Sequence, residues 1–181
     1  MDKKKILINW LLFLIGFAVT VPPLHCEERK HGEYEVKAAF LYNIGKFIEW
    51  PERRSESREY LIVGILGHDC FNGKLEMLRG KKIRGRKILI KKISSICGAK
   101  NCDVLFISSS EKSRINLILK ELANKPILTV GDTESFEEKG VMINFYIENE
   151  RIRFAINNEA AKRADVKIHS NLLALGRIVS P

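Results

Sequence analysis

Asp69, Asp103 and Asp132 each fall at the boundary of a short apolar run. In some open α/β proteins carboxylates beyond the strand ends build a phosphoryl or metal site. The same residues also cap helices and start turns, and that reading is favoured because the other parts of a catalytic set are missing. The sequence holds no G-x-S-x-G elbow and no phosphate-binding loop. His31, His68 and His169 lie far apart, so they offer neither an obvious base beside a nucleophile nor support for a zinc site. We assign no catalytic residue, no metal and no cofactor.

Binding chemistry has more candidates. Gly67-His68-Asp69, Ser108-Ser109-Ser110 and Gly131-Asp132 would lie at the carboxyl ends of strands, where a small ligand could sit, although ordinary loops use the same residues. Arg163, Lys167 and His169 place three cationic or titratable groups in one short stretch, able to receive an anion or an acidic side chain of a partner. A solvated face accounts for them equally well, and His169 before Ser170 also suits a helix start. From Arg79 to Lys92 the chain carries eight Lys and Arg residues. Nucleic acid is excluded as their target, because the run has no aromatic platform for stacking bases and the chain reads as exported. Lysines guarding a sheet edge, or meeting acidic protein groups or lipid headgroups, explain the run better.

Export is read from the first residues. Lys3, Lys4 and Lys5 precede the apolar run Ile6–Val21, then a Pro-Pro break and a switch to charge at Glu27. That order defines a cleaved secretory signal, residues 1–26, and the run is shorter than the roughly 20 apolar residues a membrane span needs. Residues 27–181 then form one domain, large enough for a proper core. The net charge of +9 favours anionic partners or surfaces. Cleavage after Cys26 leaves Cys70, Cys97 and Cys102, an odd number. Cys97 and Cys102 flank the short loop CGAKNC, where a local bridge is geometrically easy; Cys70 with Cys102 is the rival pairing.

The elements that must position these groups alternate. Val36, Phe40, Ile44, Phe47 and Ile48 recur at helical spacing and predict a helix over Glu33–Glu49, stopped by Pro51, with Trp50 as a core plug whose indole N–H is satisfied. Tyr60–Leu66, Gly85–Ile93, Asp103–Ser108 and the ILTV run before Gly131 read as buried strands. Between them fall a helix carrying Phe71, Leu75 and Leu78, and another carrying Ile115, Ile118 and Leu122. Val141–Ile147 and Arg151–Ile156 form a hairpin, and Asn158–Ala164 and Ser170–Ile178 close the chain as helical pieces. Strands alternating with helices imply parallel pairing. The expected fold is therefore α/β, an open and mostly parallel sheet with helices on both faces and one antiparallel hairpin near an edge.

The motifs VKAAFLYNIGKFIEWP, ILGHDCF followed by KLEML, CDVLFISSSE, PILTVGD, F-x-x-x-G-V-M-I-N-F, RIRFAIN and the closing HSNLLALGRIV resemble, in the same order from Glu33 to Val179, the YfiR family of periplasmic regulatory proteins. The resemblance implies a small exported α/β domain with no catalytic role. It implies as partner the periplasmic sensor region of an inner-membrane diguanylate cyclase, held inactive until an outer-membrane lipoprotein sequesters the repressor. A histidine kinase is the alternative receptor, and a homodimer is a further candidate assembly of the chain. Some members place a cysteine pair in the hairpin; here Val141–Ile156 has none.

Overall fold

The computed structural model describes residues 25–51 and 59–179, with side chains from Gly32 onward. The apolar run read as an export signal lies outside the described residues. The chain divides into two compact units, Met1–His31 and Gly32–Pro181, and the second holds the sheet.

Helix α1 (His25–Lys46) leads into β1 (Ile48–Glu49), then β2 (Tyr60–Leu66), a 3-10 segment (Lys74–Leu78), β3 (Lys82–Ile83) and β4 (Arg86–Ile93). Next come α2 (Ile96–Ala99), β5 (Val104–Ile107), a second 3-10 segment (Ser109–Arg114) running into α3 (Ile115–Glu121), β6 (Leu128–Gly131) and α4 (Phe136–Lys139). The remainder is the β7 (Ile143–Glu148) and β8 (Arg151–Ile156) hairpin, α5 (Asn158–Arg163), β9 (Lys167–Ile168), α6 (Ser170–Leu173) and β10 (Arg177–Ile178). The main sheet has the order β10-β8-β7-β6-β5-β2-β4-β3. It is parallel except for β7–β8 and β3–β4. This is the expected architecture, with the long hairpin one strand from an edge.

Continuous apolar runs are explained by burial on both faces. In β5, Val104 and Phe106 join the core that packs α1 and α5, while Leu105 and Ile107 join the core under α2, α3 and α4. Phe71, Leu75 and Leu78 are buried as the sequence implied, but Phe71 lies in a turn and Leu75 and Leu78 on the 3-10 segment that follows, rather than on an α-helix. Asp69 starts that turn by accepting the backbone N–H of Phe71 at 3.1 Å.

Boundaries differ from the sequence reading, most plainly where short strands replace expected helix; the first helix also starts at His25, ahead of the expected Glu33. The first helix ends at Lys46, not Glu49, because Ile48 and Glu49 are drawn into an antiparallel ribbon with Ile168 and Lys167. Extended pairing of a β-branched, fully buried Ile48 outweighs one more helical turn. The segment expected to be helical over Ser170–Ile178 is helical only to Leu173, and Arg177–Ile178 instead pairs with Ala155–Ile156. Gly176 makes this possible: a Cβ there would stand 2.7 Å from both Ile156 and Phe154, so only glycine lets the chain lie this close to the sheet.

Polar groups cross the core at the amino end of β5. Asp103 is fully buried and accepts from Arg86 Nη2 and from the backbone N–H of Ile62, both at 2.8 Å. Arg86 also donates to the Tyr60 carbonyl at 2.6 Å, and the Trp50 indole donates to the Asp103 carbonyl at 3.1 Å. The tryptophan is thus the satisfied core plug expected, with its partner just ahead of β5. Removing one member of a buried ion pair strands the other charge. Asp103→Ala is expected to cost about 3–5 kcal/mol, read as a lower urea midpoint.

Candidate functional site

The carboxyl ends of β2, β5 and β6 are where a ligand would sit in this topology, and the protein's own side chains fill that position. Lys37, four residues after Glu33 on α1, is buried and places its Nζ 2.7 Å from Asp132 Oδ2 and 2.5 Å from Glu33 Oε1. Tyr34 donates its hydroxyl to the same Asp132 oxygen at 2.9 Å, and the Lys37 ammonium lies 4.4 Å from the Tyr34 ring centre. Sheet and helix are therefore locked by a carboxylate that already receives two donors. The crevice between β2 and β5 is closed in another way. The His68 N–H donates to Ser110 Oγ at 2.9 Å. Gly67, with φ +90°, packs so near that a Cβ would stand 2.4 Å from that oxygen.

The three aspartates thus have separate duties. Asp69 makes a turn and meets Lys92 at 3.1 Å, while Asp103 and Asp132 anchor buried ion pairs rather than capping helices. Among the described residues no group of three or more His, Cys, Asp and Glu gathers to hold a metal. Sequence reasoning missed the buried Lys37 and Arg86. Lys37 had a signal in its i,i+4 spacing from Glu33, whereas Arg86 was hidden inside a run of exposed cations.

Arg163, Lys167 and His169 do not converge on one empty site. Arg163 is exposed at the end of α5. Lys167 pairs with Glu49 at 3.2 Å across the β1–β9 ribbon, and this hydrogen bond holds the Glu49 carboxyl below its ordinary range. His169 accepts the Asn171 N–H through Nδ1 at 3.3 Å, and its own backbone N–H donates to Phe47 at 2.9 Å, so it starts α6. The acidic side chain that meets Lys167 is Glu49 of the same chain, which Arg84 also approaches, at 3.9 Å.

The cysteines occupy three environments. Cys97 is exposed, Cys70 half-buried and Cys102 buried with its sulfur against Gly64, and the structure forms no disulfide among them. Burial first, and then the Asp132 charge, push the Cys70 thiol up to about 11 from its ordinary 9.0. The same two causes, in the same order, raise Tyr34.

Fold and site define a class: an open α/β domain with an added antiparallel ribbon, whose ligand-facing strand ends are occupied by its own ion pair. The chain belongs to the YfiR/HmsC-like family, whose model matches residues 34–177. The family is one of periplasmic proteins that regulate diguanylate cyclase signalling, and it is known as regulatory rather than catalytic. Among solved structures it is similar to a conserved domain protein from Vibrio cholerae O1 biovar El Tor, with a TM-score of 0.53 and 12% identity. The match covers 81% of this chain and 60% of that one, so the chain spans less than two thirds of its neighbour, and the likeness shows the fold alone. Comparison with curated proteins gives no match. Among the described residues no helix is long and apolar enough to cross a membrane.

Two outcomes are expected from the cysteines. In the folded protein Cys97 should react at once with a thiol reagent, Cys70 slowly, and Cys102 only on unfolding; absence of the fast thiol would instead reveal a Cys97–Cys102 bridge. A raised folded-state pKa contributes stability that is complete below the unfolded value and is lost as pH rises through the folded one. Thermal midpoints should therefore fall between pH 9 and about 11, and fall less in Cys70→Ala.

Proposed function

We propose that this protein is exported by a cleaved leader, residues 1–26, and binds the periplasmic sensor region of an inner-membrane diguanylate cyclase, holding it inactive. The observation that carries this reading is the family match over residues 34–177, nearly the whole domain. Repression follows from differential affinity: a regulator that binds the inactive arrangement of the sensor more tightly shifts the population toward it. An outer-membrane lipoprotein would release the cyclase by competing for the regulator. The tightly buried core and ion-paired first helix favour a preformed docking surface over one that orders on contact. Arg163, with Lys167 on the ribbon and His169 just after it, is the proposed meeting point for acidic side chains of the partner, where Lys167 would exchange Glu49 for a partner carboxylate. A redox change at Cys97 and Cys102 would act on the loop they flank.

Deleting the gene should raise intracellular cyclic di-GMP, and complementation should restore it only with a form that keeps residues 1–26. An unchanged level on deletion would remove the cyclase as target and leave a histidine kinase as the receptor to test.

A further inference from the structure

The basic run seen in the sequence forms one edge of the sheet, and its charges are crowded. Lys46 and Lys81 direct their ammonium groups to the same Tyr42 ring, at 4.0 and 5.3 Å from its centre. Lys82 and Lys87 stand directly opposite each other across the β3–β4 hairpin, an arrangement in which like charges repel. Lys81, Lys82 and Lys91 form no ion pair with a described residue, while Lys87 reaches Glu59 only at 3.5 Å between two exposed side chains. Guarding an edge against an added strand needs far less than this. That task is already met by the two-residue length of β3 and by the bulge where the Lys81 carbonyl and the Gly80 N–H both bond Ile88, at 2.8 and 3.1 Å. The surplus charge calls for an anionic surface outside the chain.

We infer that this edge, built on Lys46, Lys81, Lys82, Lys87 and Lys91, seats the protein peripherally against anionic phospholipid. Lysine chemistry decides between a membrane and an acidic protein. Protein interfaces are depleted in lysine and centre on aromatic, methionine and arginine side chains, whereas here the arginines of the run face acids of the same chain, Arg79 with Glu76, Arg84 toward Glu49 and Arg86 with Asp103, and the charges left over are lysines, with Tyr42 half-buried beneath two of them. Lysine stems reach from a folded surface to a headgroup layer without needing a shaped counterpart, and clustered lysines beside an anionic bilayer attract it additively. The edge is distinct from the Arg163, Lys167 and His169 contact proposed above. Together they would let the regulator rest on the bilayer that carries its receptor.

The test is co-sedimentation of the purified protein with vesicles of phosphatidylcholine alone and of phosphatidylcholine mixed in equal parts with phosphatidylglycerol. Binding is expected only to the mixed vesicles, to weaken as salt screens the charges, and to fall by about fivefold for each lysine lost, hence well over tenfold in Lys81→Gln/Lys82→Gln. The pair Lys112→Gln/Lys120→Gln removes the same charge elsewhere and should bind normally, with both double variants keeping the parent thermal midpoint. No sedimentation, or equal loss in the two pairs, would overturn the inference. Capture by poly-glutamate at concentrations where the mixed vesicles fail would also overturn it and give the edge to an acidic protein. The vesicle readout involves no cyclase, so it stands or falls independently of the cyclic di-GMP result.

Discussion

Asp103 is the point on which the sheet is hung. Its carboxylate fixes the backbone of β2 and the guanidinium of Arg86, and its carbonyl receives the Trp50 indole. Arg86 in turn reaches the Tyr60 carbonyl at the start of β2. Three neighbouring strands are thus set in register at their amino ends by one fully buried acid, while the segment after α1 is pinned to the same place. Such an arrangement tolerates loss of neither partner, because the interior offers no water to a stranded charge.

The opposite end of the sheet is closed by a second buried pair, Lys37 with Asp132. The two knots divide the work. One sets the order of the strands, the other holds the first helix over their carboxyl ends. In this topology those ends are the natural home of a ligand, and here they serve adhesion between layers. What is left for recognition is the outer surface, where charge is abundant and one-signed along the β3 edge.

Much of the fold was legible because burial on two faces leaves an unmistakable record: YLIVGIL, VLFI and LTVG are apolar without alternation, and each is a strand of the parallel sheet. The hairpin was equally readable from Val141–Ile156, with Asn149 and Glu150 in the left-handed conformation its tight turn requires. The two-residue strands were not. Ile48–Glu49 and Arg177–Ile178 are too short to carry a period, and they exist only because a distant partner strand is present. The polar knots were half legible. Asp103 and Asp132 stood out at strand ends, but nothing local distinguishes the buried Arg86 from the exposed Lys87 beside it, since the sequence records residue types and not which neighbour removes water.

The β1–β9 ribbon ties Ile48 to Ile168 and so joins the end of the first helix to a segment near the close of the chain. During synthesis the earlier strand waits until its partner has emerged, and the loop closed by this pairing spans most of the domain. Contacts of such long sequence separation form late. A clasp of this span cannot close until nearly the whole domain is available, so the domain is completed last where the first helix ends.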